Sequence, residues 1–151
     1  MTKTETSELI DHFKVFYWDM MTADLNNIDK LYTDDVFFID PVHKIRGLDS
    51  LHAYFSQMTN NLLSCRFEYL DQLIGHDSAY IKWNMHFQHP KIGTDVITVK
   101  GISHIQFNEK IYFHEDVYDL GAMLYEHLPV AGLMTRWIKN RMVKQFKSNQ
   151  A

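Results

Sequence analysis

YTDDVFFIDPVHKIRGLDSL, residues 32–51, decides how this chain is read. Val36 to Asp40 is a short run rich in β-formers, closed by an Asp-Pro pair. Pro41 has no backbone N–H and biases Asp40 towards an extended conformation, so the strand ends there. Asp34-Asp35 reads as a turn before the strand, and Gly47 as the turn into a helix that starts near Asp49. Asp40 therefore stands at the mouth of a strand, with His43 and Arg46 close behind. Two readings of its carboxylate stay open at this level. Asp before Pro is common turn punctuation, and a carboxylate at a strand end facing an apolar interior is one way to build a general base. Arg46 reads as an ion-pair partner of Asp49 or Asp40.

Upstream, Leu9, Phe13, Phe16, Tyr17 and Met20 recur at helical spacing and predict a helix from about Ser7 to about Thr22, capped by Thr6 or Ser7. A short helix over 27–31 leads into the Asp34-Asp35 turn. Downstream, a third helix covers about Asp49 to Asn61, with Leu51, Tyr54, Phe55, Met58 and Leu62 on its buried face. From Ser64 the period changes from helical to alternating. SAYIKWNMHFQ sets Ile81, Trp83, Met85 and Phe87 on one face and Lys82, Asn84, His86 and Gln88 on the other. Four long strands follow one another with short turns, which is an antiparallel meander behind a helical N-terminal half. The expected class is α+β, with helices covering one face of the sheet.

The 151 residues suffice for one domain, and 46% hydrophobic content supplies its core. Ten Phe, eight Tyr and three Trp suit a large apolar cavity as well as a core. A net charge of -4 argues against a nucleic-acid partner. The single cysteine, Cys65, excludes an intrachain disulfide and fits a reducing compartment. No run is long enough to span a bilayer and the N-terminal residues lack an apolar signal core, so the expectation is a cytoplasmic protein. Residues 132–146 read as a basic amphipathic helix whose charged face is solvated, with membrane contact not expected.

The last strand, KIYFHEDVYD, places Tyr112, His114, Asp116 and Tyr118 on one face and Phe113, Glu115, Val117 and Asp119 on the other. If the His114 face is inward, an imidazole, a carboxylate and two phenols meet the apolar interior, a set suited to acid–base work. If it is outward, the face is simply solvated; the period does not choose. Nine histidines raise the question of a metal. His43, His114, Asp40 and Asp116 would make a two-His, carboxylate set only if they converge, and no zinc-finger or metalloprotease spacing occurs, so no metal is expected.

The order of elements resembles the nuclear transport factor 2-like superfamily, and within it the SnoaL-like proteins related to polyketide cyclases and ketosteroid isomerase. Two blocks carry the resemblance: DLNNIDKLYTDDVFFIDP, and GISHIQFNEKIYFHEDVYD with its Gly, small turn and His/Asp-bearing strand. It implies one SnoaL-like domain over 1–151, with a core at about 7–119 and an extension, including an extra C-terminal helix, over 120–151. It implies a curved sheet forming a cone on the N-terminal helices, with the His114 face lining the cavity. Asp40 then matches the isomerase's base, and Asp116 the acid–base aspartate of the cyclases, with His114 beside it. Phe16, Tyr17, His43, Trp83, Met85, Ser103 and Tyr118 would line the ligand site. Ser103 stands where the isomerase has a protonated Asp, and Phe16 where it has a Tyr, so steroid isomerisation is not implied. What is implied is a small apolar carbonyl or epoxide ligand, turned over without a cofactor by an isomerase, cyclase or hydrolase, or merely bound. A homodimer through the sheet is also implied.

Overall fold

The computed structural model describes residues 2–121. Contacts gather residues 1–118 into one compact unit, and a second begins at Asp119. The amphipathic helix expected over 132–146, with the rest of the expected extension past 121, lies outside the described residues.

Helix α1 runs Lys3–Trp18. It starts earlier than its apolar stripe because Thr2 and Glu5 form a reciprocal capping box, with Glu5 N–H donating to Thr2 Oγ1 at 3.3 Å and Thr2 N–H to Glu5 Oε2 at 2.7 Å. It stops four residues short of Thr22 because the sheet captures the chain. Asp19 forms a β-bridge with Arg66, and Met20 N–H donates to the Cys65 carbonyl at 2.9 Å. A 3-10 helix, Leu25–Lys30, then leads directly into strand β1, Tyr32–Ile39. The expected turn at Asp34-Asp35 is instead an exposed, irregular part of this strand, where the register with its neighbour shifts between Tyr32 and Phe37. Strand β2, Lys44–Arg46, returns antiparallel on β1, a strand the sequence reading took for a turn. Gly47 adopts φ 94, which lets the chain swing into helix α2, Leu48–Asn61, while its N–H is held by the Val36 carbonyl at 2.8 Å.

Strands β3 (Ser64–Ile74), β4 (Ser78–Gln88), β5 (Ile97–Phe107) and β6 (Ile111–Tyr118) form the expected antiparallel meander. The six-stranded order is β2-β1-β6-β5-β4-β3, with β1 joining β6 in parallel. The N-terminal helices pack on one sheet face, as the α+β expectation requires. Phe13 and Tyr17 of α1 and Leu51 and Phe55 of α2 are buried, with Phe13 and Tyr17 against His114, Tyr17 on Tyr32 and Phe55 against Phe38. Trp83 lies opposite Gly101, whose lack of a side chain makes room for the indole: a Cβ there would sit 2.6 Å from both Cζ2 and Cζ3.

A bulge corrects the face assignment on β6. Gln106 pairs with Phe113 and Phe107 with Ile111, so Tyr112 is one residue in excess. Tyr112 is thereby turned outward, 38% exposed, while His114, Asp116 and Tyr118 keep the inner face. Arg46 forms neither expected ion pair. It sits on β2 opposite Phe37 of β1, and its guanidinium stacks 4.8 Å above that ring.

Candidate functional site

A chain of buried hydrogen bonds crosses the inner face. Tyr17 Oη and Tyr32 Oη are 2.6 Å apart, Tyr32 Oη and His114 Nδ1 2.7 Å, and His114 Nε2 and Asp116 Oδ1 2.8 Å. From the other side Trp83 Nε1–H donates to Ser103 Oγ at 2.8 Å, and the Ser103 hydroxyl donates to the same Asp116 Oδ1 at 2.5 Å. Both arms converge on one oxygen of one carboxylate. One proton ordering gives every donor an acceptor. Tyr17 donates to Tyr32, Tyr32 to Nδ1, and the neutral Nε2–H tautomer of His114 to Asp116. A second ring proton on Nδ1 would leave one of the two phenol protons without an acceptor in an apolar cage. The cage consists of Phe13, Tyr17, Phe38 and Tyr32, whose ring centroids lie 4.9–6.0 Å from the imidazole.

Burial decides the state of the phenols. Desolvation drives the Tyr17 and Tyr32 pKa values well above 10.0, with the charge of Asp116 adding to both. The His114 side chain is 1% exposed and that of Asp116 13%, so the chain surfaces at its carboxylate end. No hydrogen bond reaches Asp116 Oδ2 among the described residues. Tyr69, Trp83, Gly101 and Tyr118 stand opposite one another across β3 to β6. Tyr69, Met85, Asp116, Tyr118 and, from α2, Tyr54 are only half-buried and form the rim of the site.

Asp40 is a separate center. Its Oδ1 accepts from the backbone N–H groups of Val42 and His43 at 2.7 and 2.6 Å, and its Oδ2 from the Tyr54 hydroxyl at 2.6 Å. His43 Nδ1 stands 3.1 Å from both oxygens, its ring exposed and packed on Tyr54. The carboxylate thus builds the β1–β2 turn that the Asp-Pro pair implied, while its side chain is only 2% exposed. The two centers share an electrostatic neighborhood. Burial first, then the charges of Asp40 and Asp116, raise the pKa values of Tyr54 and Tyr118, so both phenols stay protonated.

The remaining expected residues fall as follows. Trp83 and Ser103 belong to the hydrogen-bond chain, and Met85 lies beside Trp83 on the inner face of β4. Phe16 packs edge-on against Tyr17 and lines a surface groove with Trp18 and Leu31 rather than joining the polar chain. His43 and His114 serve different carboxylates, and no group of three or more potential metal ligands occurs among the described residues. Two residues were missed. Tyr32 bridges Tyr17 and His114 across 82 positions of sequence, and Tyr54 caps Asp40. For Tyr54 the available signal was a phenol on the otherwise apolar face of its helix; around Tyr32, between Lys30 and the exposed Asp34-Asp35, no local signal marks it.

A family model described as SnoaL-like domain matches residues 13–114. Solved structures share the fold at low identity. A candidate SnoaL-like polyketide cyclase from Shewanella denitrificans is 18% identical, with 81% of this chain and 95% of that chain covered and a TM-score of 0.69. A nuclear transport factor 2-like protein of unknown function from Burkholderia pseudomallei is 14% identical over 82% and 96%, with a TM-score of 0.71. A protein with a ketosteroid isomerase-like fold from Catenulispora acidiphila, solved in complex with trimethylamine, is 13% identical over 79% and 91%, with a TM-score of 0.69. No curated protein matches the chain.

Proposed function

This chain belongs to the SnoaL-like domain family, and on that premise we propose that it performs cofactor-independent acid–base chemistry on a small apolar carbonyl or epoxide compound. Asp116 is the general base. The observation that carries this reading is the asymmetry of its carboxylate: Oδ1 takes the His114 and Ser103 protons at 2.8 and 2.5 Å, while Oδ2 has no donor among the described residues. With a ketone, the C–H proton passes to Oδ2 and its electron pair moves to the carbonyl oxygen. The Tyr118 phenol, which has no hydrogen-bond partner among the described residues, steadies that oxygen. Where the ketone is β,γ-unsaturated, the electron pair returns from the oxygen through the dienolate and the γ-carbon takes the proton back from Asp116, which completes an isomerisation. His114 orients the base through its N–H. Asp40, with both oxygens already engaged, acts through Tyr54, whose phenol it fixes at the rim.

Apolar ketones incubated in heavy water test the assignment. Wild-type protein is expected to exchange α-hydrogen for deuterium in at least one of them, and Asp116→Asn to lower that rate by about 10²–10⁴-fold while remaining folded. An unchanged rate removes Asp116 from the mechanism. A second reading, a non-catalytic binding module, is favored by one observation: the Ser103 hydroxyl is committed to Asp116 and so does not serve an oxyanion. A tightly bound ligand recovered chemically unchanged supports that reading.

The outer sheet face supports the homodimer the resemblance implied. Tyr80 and His104 stack at 4.4 Å, Phe113 lies 5.6 Å beyond, and Leu73, Ile102 and Val117 are exposed around them. Ile102→Lys is expected to shift a dimer towards monomer in light scattering; a monomeric wild type refutes the assembly.

A further inference from the structure

Asp116 stands at the rim of the site and Asp40 beside it, behind Tyr54, and among the described residues no lysine or arginine balances either carboxylate. The donors around Asp40 are backbone N–H groups, a phenol and an imidazole; those around Asp116 are a hydroxyl and an imidazole. No lysine or arginine pairs with either among the described residues. Side-chain exposures of 2% and 13% remove both from most of the solvent that would otherwise screen them. Aromatic rings lie along the same inner face. Tyr118 lies 6.2 Å from Trp83, Phe67 packs against Trp83 at 5.0 Å, and Tyr54 answers electrostatically to Tyr118 and to both carboxylates. Negative charge behind π-faces, with one carboxylate oxygen lacking a donor, is the chemistry that recognizes an alkylammonium ion.

We propose that the site takes ligands bearing a positive charge on a compact apolar body, a quaternary or protonated alkylammonium, seated against Tyr118 and Tyr54 beside the free oxygen of Asp116. The proposal rests on the reading of this rim as the ligand site and narrows its ligand class. It also answers a deficit in the acid–base reading. Ser103 offers no proton to an enolate, because it is held by Asp116. A cationic substituent on the ligand compensates the enolate charge internally and acidifies the neighboring C–H. The same two carboxylates repel an anionic ligand.

The test compares choline with 3,3-dimethylbutan-1-ol, which has the same shape without the charge, by calorimetry and by chemical-shift mapping on the full chain. Choline is expected to bind at least about tenfold more tightly, a difference of about 1.4 kcal/mol. The largest shifts are expected at the Trp83 indole N–H and Tyr118. Asp116→Asn is expected to cut the preference to within about threefold, about 0.7 kcal/mol. Tyr118→Leu, which keeps apolar volume, provides a second variant and is expected to weaken choline more than the alcohol. Equal affinity of the two probes, with shifts at Trp83 and Tyr118, overturns the charge preference and leaves the ligand site in place. Shifts that map away from this rim, or no choline binding, overturn both.

Discussion

Gly101→Ala tests the link between packing and site chemistry most directly. The added methyl would meet Trp83 at Cη2 and, at 2.6 Å, at Cζ2 and Cζ3. These atoms belong to a ring that is 1% exposed and packed edge-on by Phe67 at 5.0 Å. Overpacking of this kind costs about 1–3 kcal/mol. A displaced indole also loses the 2.8 Å bond from Nε1 to Ser103, and a buried N–H left without an acceptor costs about 1–3 kcal/mol more. The lower unfolded-state entropy of alanine returns about 0.5–1 kcal/mol. The net is a loss of about 1–5 kcal/mol, with its midpoint near 3, or a fall in Tm of about 10 °C. Thermal and urea unfolding, followed by tryptophan fluorescence and circular dichroism, measure it. Trp83→Phe removes all three clashing atoms, so Gly101→Ala in that background is expected to be nearly neutral, a strongly non-additive pair. A single variant that melts within about 2 °C of wild type, or an equal penalty in both backgrounds, refutes the reasoning.

Three further outcomes follow from the geometry. Tyr32→Phe leaves the Tyr17 proton and His114 Nδ1 without partners and is expected to cost about 2–4 kcal/mol in urea unfolding, more than Tyr17→Phe, which removes only the terminal donor; the reverse order contradicts the donor chain. Burial, helped by the charge of Asp19, pushes the Cys65 thiol up to about 12 from 9.0, and the Tyr17 and Tyr32 phenols rise well above 10.0. The folded chain keeps protons that the unfolded chain releases, so these groups leave stability unchanged below about pH 9. Above it Cys65, and above about pH 10 each of the two phenols as well, steepens the loss by about 1.4 kcal/mol per pH unit, and urea midpoints that stay level into the alkaline range would contradict the burial of these groups. Thr2→Ala is expected to cost about 1 kcal/mol and to speed amide exchange mainly in the first turns of α1, and unaltered exchange there counts against the capping box.

Much of the fold was legible because it rests on periodicity. Alternation along β4 set Ile81, Trp83, Met85 and Phe87 inward, and the structure keeps them there. Alternation is lost wherever a strand gains a residue. At Tyr112 a single bulge reversed the face of one phenol, and nothing in IYFH distinguishes a bulged tyrosine from a regular one. The ends of α1 were misjudged for opposite reasons. Its start lay in a local polar box read too far downstream, whereas its end depends on Arg66 and Cys65, which no local pattern can reveal.

The order of the longer helices and strands, the division of each regular strand into two faces, and the carboxylate at the Asp-Pro strand end are properties of the sequence by itself, because steric preference and hydrophobic period act between near neighbors. Tertiary structure alone decided the chemistry of the site. Asp40 and Asp116 look equivalent as letters. They differ because the turn at Asp40 folds two amides and a phenol onto its oxygens, while β5 and β6 bring Ser103 and His114 to a single oxygen of Asp116. Tyr32 reaches His114 only because β1 lies parallel beside β6. Hydrogen bonds require atoms within about 3 Å, and residues 82 apart in sequence come that close only when the sheet has formed.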